Sequence, residues 1–293
     1  MKSFAVWAAL LLGSVVALRA QVTVEVRLEQ DQFLPGETLT AAVRVTNRSG
    51  RTLRLGEDED WLSFSVESLE GRVVPHTGEA PVAGAFELET SKVATKRVDL
   101  APYFALTEQG RYSIVATVKI KEWEHLINSS PKNFYIIEGA KLWEQTFGLP
   151  QARLNDTNAP EVRRYILQQA NYLKGQIRLY LRLTDGTGAK ALRVFPIGQL
   201  VSFSRPDPQV DRLSNLHVLY ANGPHSYSYT LFDPDGELLR REIYDYVGSR
   251  PRLQPDEEGN IKVVGGVRRV VANEVLAIKP EVPPADAGPP SKR

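Results

Sequence analysis

Strict alternation of apolar and polar residues constrains the fold of this chain more than any other feature of its sequence. In residues 22–29 (VTVEVRLE) every second residue is apolar, and residues 111–120 and 177–184 carry the same pattern. Successive side chains of a β-strand point to opposite faces, so this period indicates strands with one buried face. The chain is therefore predicted to be all-β.

Turn residues divide the first part of the chain into short segments. Pro35-Gly36, Ser49-Gly50 and Glu70-Gly71 each follow a stretch rich in alternating or β-branched residues. Glycine and proline supply the backbone angles that tight turns need. Seven or eight short strands at this spacing predict a β-sandwich.

Two stretches of this region resemble bacterial immunoglobulin-like modules. The run QFLPGETLTAAVRVTNRSGRTLRL (32–55) is similar to the second and third strands of such modules, and LTEQGRYSIVATV (106–118) to the penultimate strand. Gly110 and Tyr112 fall where a corner tyrosine often sits. The resemblance covers roughly residues 22–140 and implies an immunoglobulin-like β-sandwich, but no particular function.

The second half of the chain is predicted to be a β-meander domain. The runs IRLYLRLTDG (177–186), LHVLYANG (216–223) and IKVVGG (261–266) each open a meander, and their spacing resembles that of propeller blades. Because a closed propeller needs at least four blades, the region is either a compact meander or a propeller-like fragment. Residues 161–173 fit a helix or a strand, and a strand is preferred because strands surround them.

The N-terminus predicts export. Lys2 precedes an uncharged, mostly apolar run (3–18), and Ala20 offers a small residue for signal-peptide cleavage, with Ala17 as the alternative site. The run is shorter than the roughly 20 apolar residues that span a bilayer, although an uncleaved anchor remains an alternative. We expect a secreted or periplasmic protein with no membrane span after cleavage.

These features give a predicted domain order. It comprises a signal peptide (1–20), an immunoglobulin-like β-sandwich (21–149), a linker (150–160), a β-meander domain (161–278) and a Pro-rich disordered tail (279–293).

Composition narrows the function classes. The chain has no cysteine, which excludes thiol nucleophiles and cysteine-ligated metals. Its 36 Lys and Arg nearly balance its 35 Asp and Glu, so a nucleic-acid partner is not expected. Motifs for nucleophilic serine, zinc hydrolysis or nucleotide binding do not occur. We therefore expect no cofactor, no metal and no catalytic residues.

Candidate binding residues are aromatic side chains and histidines, because flat rings stack on sugars and fill protein interfaces. They are Trp61, His217, Tyr220, His225, Tyr227 and Tyr229. Simple packing of these rings in a β-fold is the competing explanation.

Three hypotheses follow. The first is a structural or protein-interaction module of the cell envelope, because exposed strand edges can pair with an extended partner. The second is a carbohydrate-binding module that uses the surface aromatics. The third, ranked last, is a hydrolase with a carboxylate pair such as Asp233 and Asp245.

Overall fold

The computed structural model describes residues 22–150, 161–172 and 175–270. The expected signal peptide (1–20), the tail (279–293) and all but the first residue of the expected linker lie outside the described residues. What is described is all-β, apart from one 3₁₀ turn at Lys121–Trp123. No helix in these described ranges has the length and apolar character needed to cross a membrane.

The described chain divides into two compact units, with the boundary between Glu138 and Gly139. The strands of the first unit are β1 (Val22–Leu28), β2 (Gln32–Phe33), β3 (Thr40–Asn47), β4 (Leu53–Leu55), β5 (Leu62–Ser68), β6 (Phe86–Leu88), β7 (Val93–Asp99), β8 (Gly110–Ile120), β9 (His125–Asn128) and β10 (Lys132–Ile136).

Two main sheets form the first unit. One has the order β1-β3-β7, and the other has the order β2-β10-β8-β5 with β9 added beside β8. All pairs are antiparallel except β2 with β10. A separate pair, β4-β6, completes the unit.

The alternating residues of both sheets supply one shared core. Val24 and Val43 come from one sheet and Ile114 and Phe134 from the other, and all four are buried in a single cluster. Burial of each such side chain contributes about 1.5–3 kcal/mol, which makes this core the main source of stability in a chain without disulfides.

The second unit contains eleven strands in its described residues. They are β11 (Ala140–Gly148), β12 (Val162–Tyr172), β13 (Gln176–Asp185), β14 (Ala191–Leu200), β15 (Asp207–Val210), β16 (Leu216–Ala221), β17 (Ser226–Phe232), β18 (Leu238–Asp245), β19 (Arg252–Pro255), β20 (Ile261–Val264) and β21 (Val267–Arg269).

These strands form two antiparallel meanders and a hairpin. The first sheet has the order β11-β12-β13-β14, the second β15-β16-β17-β18-β21, and β19 pairs with β20 alone. Leu181 and Ile197 of the first sheet lie in one core with Leu216 and Phe232 of the second. The hairpin adds Leu253 to a smaller cluster on the second sheet.

Two sequence expectations can be compared with this order. Residues 162–172 form β12, so the preferred strand interpretation of this ambiguous segment is confirmed. The expected first domain ran to residue 149, whereas Ala140–Gly148 pairs with β12 in the second unit. This strand is mostly exposed at a sheet edge and has no clean alternation, so its partner was not readable from its own residues.

Candidate ligand-binding site

A cleft of about 680 Å³ opens in the second unit. Its lining comes from β16 and β17, from the residues at the start of β15, and from the β19–β20 hairpin with the segment that leads into it. The polar side chains used in the argument below are Arg205, Asp207, Tyr227, Arg250, Arg252 and Gln254.

Two of the cleft arginines occupy equivalent places in the fold. Arg205-Pro206 stands immediately before β15, and Arg250-Pro251 stands immediately before β19. These dipeptides lie 45 residues apart (205 to 250), the same spacing as the meander runs that begin at 216 and 261. Each of these two arginines thus enters the cleft from an Arg-Pro dipeptide that directly precedes a strand.

Positive charge dominates the lining. Arg205, Arg250 and Arg252 are exposed, and none of them lies within ion-pair distance of a carboxylate in the described parts of the chain. Asp207 is the one acidic residue of the lining, and its Oδ2 accepts a hydrogen bond from the Leu253 amide at 3.0 Å. Three guanidinium groups therefore face one carboxylate.

Some other arginines of this unit behave differently. Arg163, Arg193 and Arg269 each form an ion pair, with Asp235, Glu237 and Asp245 respectively. Arg212, Arg240 and Arg241, outside the cleft lining, resemble the cleft arginines in forming no ion pair within the described residues, so what distinguishes the cleft is that three such arginines line one opening.

Tyr227 links the aromatic and the cationic parts of the cleft. The guanidinium carbon of Arg250 lies 5.4 Å from the centroid of the Tyr227 ring, within the range of a cation–π interaction. The ring is half-buried against the cluster that contains Leu219 and Leu253. It is thereby held in place and limits the positions that Arg250 can take.

Tyr220 and Tyr229 are buried, whereas stacking on a ligand requires exposed ring faces. The Tyr220 hydroxyl donates to the Ile197 carbonyl at 3.4 Å, and burial raises the pKa of this phenol. Tyr220 also touches the base of the cleft. Burial raises the pKa of Tyr229 to about 12.

His217 belongs to a buried polar group rather than to an open site. Only 5% of the residue is exposed; its Nδ1 lies 2.9 Å from the Tyr229 hydroxyl oxygen, and its Nε2 lies 3.3 Å from Asp211 Oδ2. A carboxylate only accepts, so Nε2–H donates to Asp211 and Nδ1 accepts from Tyr229 in the neutral imidazole. Burial lowers the pKa of His217, with the Asp211 hydrogen bond acting in the opposite direction.

The structure separates the remaining two candidates from the cleft lining. His225 is exposed, and its ring centroid lies 6.3 Å from that of Tyr246. Trp61, in the first unit, is 2% exposed, and its indole N–H donates to the Val82 carbonyl at 2.8 Å. The segment around Val82 and Phe86 covers the Trp61 ring, which agrees with the competing explanation that these rings pack within the fold.

The carboxylate pair of the hydrolase hypothesis is far apart. Asp233 lies just beyond the C-terminal end of β17, whereas Asp245 is paired with Ser226, the first residue of β17. The two carboxylates are therefore about one strand length apart, about 20 Å at the rise per residue of a β-strand. Glycosidase carboxylates stand about 5–10 Å apart. Asp233 Oδ1 instead accepts the Asp235 and Glu237 amides, at 3.0 and 2.8 Å.

The sequence reasoning missed the arginines. The repeated Arg-Pro dipeptide was the available signal, because it recurs in register with the meander repeat. Within the described ranges, no group of three or more His, Asp or Glu residues is placed to hold a metal ion.

The fold and the cleft define an all-β chain with an arginine-lined cleft in its second unit. Among solved structures it is similar to Spo0M, the sporulation control protein of Bacillus subtilis, at 10% sequence identity and a TM-score of 0.30. That similarity covers 74% of this chain and 79% of the other, and its TM-score is too low to carry an argument. No protein-family model and no curated protein matches the chain.

Proposed function

We propose that this protein is an exported, two-domain β protein that works as a protein-interaction module of the cell envelope. The observation that carries the proposal is the edge of β18, part of which has no strand partner among the described residues and exposes Leu238 and Leu239. Export rests on the signal-peptide pattern of residues 1–20.

Within residues 175–270, the edge of β18 has a strand partner over only part of its length. One side of the strand pairs with β17, and β21 pairs with the other side at residues 243–245. Leu238 and Leu239, in the part that β21 does not pair with, are 42% and 46% exposed. An exposed apolar strand edge offers backbone hydrogen bonds and side-chain contacts to an extended partner segment.

The first unit is proposed to be an immunoglobulin-like sandwich. Its two main sheets share one core. β1 lies in one sheet, and β2, which follows it directly, pairs in parallel with β10 in the other, which fits a sandwich whose first strand passes from one sheet to the other. The Tyr112 hydroxyl donates to the Glu108 carbonyl at 2.7 Å, four residues upstream. This is the hydrogen bond of a tyrosine corner, and it supports the resemblance seen in residues 106–118.

The second unit is proposed to be a propeller-like fragment. Two four-stranded meanders, β11–β14 and β15–β18, share a core, and the β19–β20 hairpin follows them as the start of a third. Such repeats bury their faces against neighbours. This supports a role in which the unit associates with further protein.

Photo-crosslinking tests the interaction role. A photoreactive amino acid at position 239 is expected to capture one recurrent envelope protein, and the same residue at position 126 is not. Leu126 is the matched control because it is 62% exposed and lies in the other unit. Leu238→Lys with Leu239→Lys should abolish capture, because the change removes the two apolar side chains that would contact the partner segment. Equal capture at both positions would reject the proposal.

Carbohydrate binding is the second candidate function. The specific observation in its favour is Tyr227, the one candidate aromatic that is part-exposed in the cleft. Trp61, Tyr220 and Tyr229 do not support it, because their rings are buried.

A further inference from the structure

We propose that the cleft of the second unit binds an acidic saccharide, a sugar chain that carries carboxylate or sulfate groups. This inference rests on the second candidate function and gives it a site and a ligand class. It does not depend on the interaction role of the β18 edge.

The positive charge of the cleft favours an anionic ligand. Arg205, Arg250 and Arg252 bring three guanidinium groups to one opening, and the described residues supply none of them with a carboxylate. A guanidinium group is a planar fork of donors that matches the two oxygens of a carboxylate or sulfate. Its charge is retained at every physiological pH, so the cleft stays cationic.

The other polar groups favour a ligand that also carries hydroxyls. Asp207 uses one carboxylate oxygen for the Leu253 amide and leaves Oδ1 for a donor from the ligand. Gln254 offers an amide that both donates and accepts. A simple inorganic anion has little to donate to Asp207 and is repelled by it, whereas a sugar hydroxyl donates to it.

The site is held on regular elements. Arg252 is the first residue of β19, Arg250 precedes the buried Pro251, and Tyr227 lies on β17. Tyr227 restrains Arg250 through the cation–π contact. Restraint of this kind lowers the entropy lost when a ligand binds. The volume of about 680 Å³ falls within the range of ligand sites, about 300–1,000 Å³.

Calorimetric titration of the full chain tests the proposal. The probes are an oligogalacturonate, a sulfated heparin tetrasaccharide, neutral cellotetraose, inorganic phosphate and a poly-glutamate peptide, each at low and high salt. Oligogalacturonate carries only carboxylates, whereas heparin carries both carboxylates and sulfates, so binding of heparin alone would show that sulfate is required. Binding of one or both is expected, weakening as salt screens the charges.

Variants locate the site. Arg250→Ala and Arg252→Ala should each weaken binding at least about tenfold, the loss expected for a charge-assisted hydrogen bond. Arg252→Lys should bind with an affinity between those of the native chain and Arg252→Ala, because lysine keeps the positive charge but lacks the planar set of donors. Arg212→Ala is the matched control, since Arg212 is exposed in the same unit and outside the cleft lining. The arginines are exposed, so unchanged thermal unfolding should show that each variant is folded.

Three results would overturn the proposal. They are no binding of either acidic saccharide, binding unaffected by the cleft variants, and binding of cellotetraose, phosphate or poly-glutamate as tight as that of the acidic sugars. The crosslinking experiment at position 239 is repeated with the Arg250→Ala variant to separate the two roles. Capture of a protein partner should persist in this variant if the β18 interface is independent of the cleft.

Discussion

The Nδ1 atom of His217 lies 2.9 Å from the hydroxyl oxygen of Tyr229, and both side chains are buried in the sheet of β16 and β17. Asp211 holds the other ring nitrogen and also accepts the Leu213 and Asn215 amides, which fixes the turn before β16. The group therefore joins a turn to the interior of the sheet.

Stability should fall at mildly acidic pH because of His217. Burial lowers its pKa from the ordinary 6.5, so the unfolded chain takes up a proton at a higher pH than the folded chain. The stability that neutral His217 contributes is fully present above about pH 6.5. It is lost as the pH falls from there toward the pKa of His217 in the folded chain. Urea unfolding between pH 8 and 5 should show a steeper loss for the native chain than for His217→Gln. The exposed His225→Gln is the control, and parallel curves for native and His217→Gln would contradict the assignment.

Tyr112→Phe should destabilise the first unit. The change removes the hydroxyl that donates to Glu108 and leaves the carbonyl without that donor, at a cost of about 1–2 kcal/mol in the free energy of unfolding. Chemical denaturation followed by circular dichroism measures the loss. Tyr135→Phe on the neighbouring β10 is the control, because Tyr135 is partly exposed; equal effects would argue against the corner bond.

Gly198→Ala should destabilise the second unit. A Cβ at this position would lie 2.4 Å from the Tyr220 hydroxyl oxygen, and buried Tyr220 has little room to withdraw. We expect a loss of about 1–3 kcal/mol, typical of overpacking. Gly148→Ala meets no atom within 4 Å and should be close to neutral in the same thermal unfolding experiment. A neutral Gly198→Ala would show that β14 can move away.

Trp61→Phe should affect stability and leave ligand binding unchanged. The variant removes the indole donor to Val82 and part of a buried ring, so a loss of about 1–3 kcal/mol is expected. Titration with the cleft ligand should give the affinity of the native chain. A specific loss of binding in a variant of native stability would restore Trp61 as a site residue.

Much of the strand content was readable from local pattern. β1 and β8 follow from alternation alone, because a half-buried strand places every second residue in the core. β13 was also predicted from its alternation, although Tyr180 and Thr184 on its second face are buried as well. β11 was not assigned, since most of its residues are exposed and no period marks them. β19 has four residues, too few for a period to be recognised.

The candidate site was only partly predictable. Tyr227 and Tyr229 were both candidate binding residues; in the structure Tyr229 belongs to the cluster beneath the β19–β20 hairpin, and Tyr227 packs against that cluster. The alternating pattern does not reveal that the β19–β20 hairpin covers this face of β17. That cover buries Tyr229 and leaves Tyr227 at the cleft. The arginines escaped notice because charged residues are common on surfaces, and only convergence in space distinguishes these three.

By itself, the sequence determined that the chain is all-β and which side chains share a strand face, because both depend on the local geometry of neighbouring residues. Only the tertiary structure decided that Trp61 is buried by a segment 21 residues away and that Arg205 meets Arg250 and Arg252 at one cleft. Burial and convergence arise from contacts between distant segments, and a strand's own residues do not specify which segment will cover them.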